Sequence, residues 1–124
     1  MIEGQETKVM SVRDAIIEAM SEEMRRDENV FLMGEDVGVY GGDFGTSVGM
    51  LEEFGSERVR DTPISENAIS GCAVGAALTG MRPIVDVTFM DFVVYMMDNI
   101  VNQAAKTRYM YGGKGSVPVV FRCA

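Results

Sequence analysis

Acids dominate the residues of this chain that could do chemistry. Glu66 stands in "DTPISENAISG" (61–71), directly before a run of small and apolar residues. Glu35 in "FLMGED" and Asp61 in "RVRDTP" follow apolar runs, near the expected ends of strands. A carboxylate so placed can exchange a proton with a bound molecule. It can equally be an ordinary charge: at the first turn of a helix, Glu66 gains about 0.3–1 kcal/mol from the macrodipole without any function. The chain has no histidine. Ser-His-Asp and Cys-His nucleophilic schemes and the usual zinc ligands are therefore out of reach. Acid–base work must fall to carboxylates, Lys or Tyr, or to another chain. The aromatic pair Phe89 and Phe92 in "TFMDF" could stack on a flat heterocycle, or be plain core phenylalanine. The glycines of "GVYGGDFG" run G-x-x-G-G-x-x-G. This matches neither the dinucleotide fingerprint nor a P-loop, so they are read as permitting a tight chain path. Cys72 and Cys123 stand in no motif spacing and are read as buried or inert thiols.

The elements that must hold these residues follow from pattern. "SVRDAIIEAMSEEMRR" opens on a capping-box-like Ser11 and Asp14 and continues with an apolar helical stripe. "NVFLMGED" (29–36) reads as a buried strand, and the glycine-rich stretch 37–49 as a loop. A short helix over 47–55, closed by Gly55, leads to a short strand in 58–64 that runs into a turn at Pro63. "SENAISGCAVGAALTG" (65–80) reads as a helix with Ser65 as N-cap and Gly80 just past its end. Its several glycines and alanines suit close packing on a sheet or on another chain. "RPIVDVTF" (82–89) is a strand. Residues 91–110 read as one long helix capped by Asp91, buried between Phe92 and Met97. "VPVVFR" (117–122) is a last strand. Alternating strands and helices predict an α/β fold with a mainly parallel sheet flanked by helices.

The 124 residues, 47% of them hydrophobic and 24% charged, suffice for one small globular domain. A net charge of −8, with Lys and Arg scattered, argues against nucleic acid as a partner. No apolar run is long enough to span a bilayer, and "MIEGQETK" lacks the order of a signal peptide. A cytoplasmic protein without membrane partners is the expectation.

Six blocks in order, "FLMGEDVG", "GGDFGTSVGMLEEFG", "RVRDTPISE", "AVGAALTGMRPIVDVTFMDF", "DNIVNQAAKTRYM" and "VPVVFR", carry a further pattern. Over residues 9–122 they closely resemble the β subunit of the E1 component of thiamine diphosphate-dependent 2-oxo acid and acetoin dehydrogenase complexes. The resemblance implies a transketolase-like pyrimidine-binding fold, truncated. Residues 1–124 would be its amino-terminal part, with the rest of that domain, a histidine-bearing segment and a carboxyl-terminal domain absent.

It also implies roles. Glu66 matches the glutamate that hydrogen-bonds N1′ of the cofactor's aminopyrimidine, so that the ring itself can take the proton from the thiazolium C2. Phe92 matches the aromatic residue that stacks on the pyrimidine. Thr88 lies where relatives line the cofactor or substrate cavity. Glu35 matches an acid of a buried proton-relay path between two active sites. Val119 falls where some relatives offer a backbone carbonyl to a structural potassium ion (K⁺). The diphosphate and Mg²⁺ motif of the family, "GDG" followed by "NN", does not occur in this chain; the family places it on the α subunit. The implied assembly is an α2β2 heterotetramer with thiamine diphosphate at α–β interfaces, passing an acyl or hydroxyethyl unit to the lipoyl groups of an E2 acyltransferase. The implied substrate is pyruvate, a related 2-oxo acid or acetoin. Two other readings stand beside this one: a non-catalytic α/β scaffold subunit, and a flavodoxin-like nucleotide-binding domain.

Overall fold

A computed structural model describes residues 8–124. The start "MIEGQET", read above for targeting, lies outside the described residues. Helix α1 (Val12–Arg26) begins where the capping pattern puts it, with Ser11 Oγ accepting from the Asp14 N–H at 3.1 Å. Strand β1 (Val30–Gly34) is buried at every position. After the glycine loop come α2 (Met50–Phe54), β2 (Val59–Asp61), α3 (Glu66–Leu78) and β3 (Arg82–Asp86). The chain then runs through a 3₁₀ segment (Met90–Met96), a π segment (Asp98–Ala104) and α4 (Ala105–Met110) to β4 (Val120–Arg122).

All four strands are parallel, in the order β2-β1-β3-β4. Register aligns Gly34 with both Asp61 and Asp86, so the carboxyl ends of β1, β2 and β3 finish level. The connection after β1 leads to β2 on one side and the connection after β3 leads to β4 on the other, so the direction reverses between the adjacent strands β1 and β3. Ligands of open α/β sheets bind at such a reversal, outside the carboxyl ends. Flavodoxin-type sheets share this order, so it does not by itself choose between those readings. Gly34 has a steric reason to be glycine: a Cβ there would lie 2.3 Å from the Asp86 carbonyl oxygen.

A buried core fills each face of the sheet, as a parallel sheet requires. Met20, Met24, Leu32, Met50 and Val59 pack under α1 and α2. Phe31, Ile69, Ala73, Val85 and Met96 pack under α3 and the 3₁₀ segment.

The stretch 91–110 departs from the expected single helix. It changes hydrogen-bond period twice, from 3₁₀ to π to α. Asp91 does not cap it; the boundary residue is Phe89, with Asp91 inside the first turn. Nor is it buried from Phe92 to Met97. Met96 is fully buried, whereas Val94 and Tyr95 are more than 60% exposed and Phe92 and Met97 about 40%. Apolar composition on all sides asks for cover on all sides, and among the described residues that cover is incomplete. Ser65 holds the N-cap position of α3 but makes no side-chain cap bond. Strand β3 stops at Asp86, short of 89, because Asp86 Oδ1 takes the Thr88 N–H at 3.0 Å and ends the extended run. The other two short strands are likewise cores of longer predicted runs, 59–61 within 58–64 and 120–122 within 117–122. Cys123 is half-buried and burial pushes its thiol pKa up, but Cys72 is exposed, against the buried reading.

Candidate active site

The acids singled out from sequence meet at the carboxyl edge of the sheet. Glu35 follows β1 directly and Glu66 opens α3 after the turn that leaves β2. Both are partly buried. Burial pushes the Glu35 carboxyl pKa up, and the charges of Glu66, Asp36, Asp43 and Asp86 push it further the same way. Each of those acids therefore lies within electrostatic reach of Glu35. One Glu35 oxygen, Oε1, is buried with no hydrogen-bond partner among the described residues. A buried polar atom without a partner is rare and marks a place where a further group is wanted. None of the ion pairs among the described residues involves Glu35 or Glu66.

The second wall of this edge is the turn after β3. Thr88 is buried and has φ +50°. For a β-branched residue that is a true outlier, of the kind held in place at functional sites. The Phe89 N–H donates back to the Val87 carbonyl at 2.5 Å, closing a three-residue turn around Thr88. The Thr88 carbonyl also accepts from the Ala124 N–H at 2.9 Å. The turn delivers a file of aromatic rings. Phe44 from the glycine loop meets Phe89 edge-on at 5.7 Å, and Phe89 meets Phe92 edge-on at 6.0 Å. Phe92 keeps 40% exposure, so its ring is available to a neighbour.

The glycine loop folds back over this edge and is pinned from three sides. The Gly38 N–H donates to Asp61 Oδ1 at 2.6 Å. Ser47 Oγ donates to the Val37 carbonyl at 2.8 Å. Arg122 donates to Thr46 Oγ1 at 2.5 Å and pairs with Asp86. At Gly38 a Cβ would sit 2.5 Å from the Asp61 carboxylate, so the tight path expected of these glycines is the one they take. The Asp86–Arg122 pair, nearly buried on both sides, escaped sequence reasoning. The two residues are 36 apart, and only the pairing of β3 with β4 sets them side by side.

Val119 lies elsewhere. It precedes β4 at the amino edge of the sheet, half-buried in the core under α3, with its N–H donating to the Val117 carbonyl at 2.9 Å. The structure thus brings Glu35, Glu66, Thr88 and Phe92 to one end and leaves Val119 at the other.

Residues 8–124 match the family model for the transketolase pyrimidine-binding domain. The chain belongs to that family. Similar proteins include the pyruvate dehydrogenase E1 component subunit beta of Rhizobium meliloti (50% identical over 96% of this chain). The 2-oxoisovalerate dehydrogenase subunit beta of Bacillus subtilis is 51% identical over 92%. The acetoin:2,6-dichlorophenolindophenol oxidoreductase subunit beta of the same organism is 47% identical over 93%. The chain spans 26%, 35% and 37% of the length of those three proteins. The parallel four-stranded sheet between helices agrees with the family's expected fold. No helix among the described residues is long and apolar enough to cross a membrane.

Proposed function

We propose that this domain is the pyrimidine-binding part of the β subunit of a thiamine diphosphate-dependent E1 dehydrogenase, with Glu66 as its catalytic acid. One observation carries the reading: at the carboxyl edge of the sheet a partly buried glutamate, in no ion pair among the described residues, stands near a second acid whose oxygen lacks a partner among them and a file of aromatic rings. That donor set suits a flat, basic heterocycle. A ring nitrogen suits the Glu66 carboxyl, and an aromatic face suits Phe92. When bound, thiamine diphosphate would supply a carbon nucleophile for cleaving a bond next to a carbonyl.

The chain's own part is narrower. Glu66 holds or gives a proton at the pyrimidine nitrogen. Phe92 fixes the ring plane. Thr88, in its strained turn, lines the wall. Glu35 forms the next link of a proton path, its pKa raised by burial and by the acids around it. The diphosphate and its Mg²⁺ fall to an α subunit, in an α2β2 heterotetramer. The substrate is pyruvate, a related 2-oxo acid or acetoin, and the acceptor is a lipoyl-bearing E2. The Val119 carbonyl is assigned to a structural K⁺.

The deciding experiment is Glu66→Gln in the assembled α–β complex. Loss of a positioned acid–base group typically lowers kcat by about 10²–10⁴-fold, and that loss is expected here with the complex intact by sedimentation. Full activity in the variant would leave this domain as a scaffold.

A further inference from the structure

The first turn of α3 carries Glu66, yet it lacks the usual means of being held. Ser65 makes no cap bond. The turn is instead gripped from the side by Asn99, which comes from the π segment more than thirty residues later. Asn99 is 9% exposed. Its Nδ2 lies 3.0 Å from the Asn67 carbonyl, 2.9 Å from Asn67 Oδ1 and 2.9 Å from Ser70 Oγ. The carbonyl can only accept, so it fixes which end of the amide faces the turn. Ser70, itself fully buried, passes the contact on: its hydroxyl lies 2.7 Å from the Glu66 carbonyl and 3.1 Å from that of Asn67. A serine bonding back to its own helix gains little and tends to bend it. Here the same bond orients a lone pair toward Asn99. A Cβ at Gly71 would meet the Asn99 amide at an ordinary contact distance of 3.5 Å, so the approach does not depend on glycine there.

The far end of the strut matters as much. Asn99 lies three residues beyond the 3₁₀ segment that carries Phe92, in the π segment that follows it. A change to π period re-aims the residues of a helix and is frequent at functional sites. One amide thus ties the element bearing the acid to the element bearing the aromatic ring.

We propose that Asn99 is a positioning residue, acting through Ser70 and the first turn of α3 to fix Glu66 relative to Phe92. The proposal rests on the reading of Glu66 given above. Misplacing a reacting group by about 1 Å can cost on the order of 10²-fold in rate.

The test uses Asn99→Asp, which keeps shape and removes the donor, together with Asn99→Ala, Ser70→Ala and the double variant N99A/S70A, in the assembled α–β complex. Three readouts are taken: kcat and KM separately, calorimetric affinity for thiamine diphosphate, and amide hydrogen exchange over residues 66–70. Both Asn99 variants are expected to lower kcat by about 10- to 100-fold, with KM changed much less. They should weaken the cofactor and speed exchange in the first turn of α3. The double variant should be no worse than Asn99→Ala alone, because the two side chains form one link. Unchanged exchange at 66–70, a kcat within about twofold of wild type in Asn99→Asp, or multiplying effects in the double variant would each overturn the proposal. Glu66→Gln in the same assay separates the two claims. If it is inactive while Asn99→Asp is normal, only the strut fails; if it is active, the reading of Glu66 fails.

Discussion

Glu35 keeps an unpartnered oxygen in a neighbourhood of acids, and that has a measurable consequence. Burial, then the charges of Glu66, Asp36, Asp43 and Asp86, raise its pKa above the ordinary 4.5. The folded state then holds the proton more tightly than the unfolded state. Ionising Glu35 therefore destabilises the fold: the penalty is complete above the raised pKa and absent below the ordinary one. Glu35→Gln should raise the urea midpoint at neutral pH, and the gain should vanish as pH falls below 4.5. Urea titrations across that range check it. The Asp86–Arg122 pair behaves oppositely, because each charge meets its counter-charge, although Arg122 Nε has no partner among the described residues. Arg122→Met strands a buried carboxylate and takes a donor from Thr46. A loss of about 3–5 kcal/mol is expected, partly restored by adding Asp86→Asn. Of these residues, Glu35 and Glu66 stand out in the sequence because acids after apolar runs fall at strand ends. Asp86, Arg122 and Asn99 do not, since their partners lie 29 to 36 residues away in the chain.

At the scale of elements, period and punctuation carried most of the structure. Ser11, Gly55 and Gly80 mark real helix boundaries, and β1 is the buried run that its composition predicts. The stretch after β3 failed as one helix because tertiary contacts outweigh its propensity. Thr88 must turn sharply, and the π segment must aim Asn99 at α3. Two glycines separate steric need from tolerance. Gly34→Ala would drive a Cβ into the Asp86 backbone at the centre of the sheet, and a loss of about 1–3 kcal/mol is expected. Gly75 in α3 has nothing within 4 Å of its would-be Cβ. Gly75→Ala should stabilise by up to about 1 kcal/mol through helix propensity. Denaturation midpoints of the two variants, compared side by side, test the contrast.

At the scale of the whole molecule, the apolar side chains left outside are the main fact. Val94, Tyr95, Met97 and Val101 are all more than 40% exposed along one stretch. Contiguous exposed apolar surface of this kind drives association. Sedimentation velocity should show concentration-dependent association of this chain, reduced by Val94→Lys with Tyr95→Lys. By itself the sequence determined the parallel α/β layer, the positions of the acids and the family, because strand and helix periods and ordered motif blocks are local properties. The fold alone decided which acids share an edge, that Thr88 is strained, that Asp86 meets Arg122 and that Asn99 holds the turn bearing Glu66. Those facts depend on parallel register and a change of helical period, through which residues distant in the chain come within hydrogen-bonding distance.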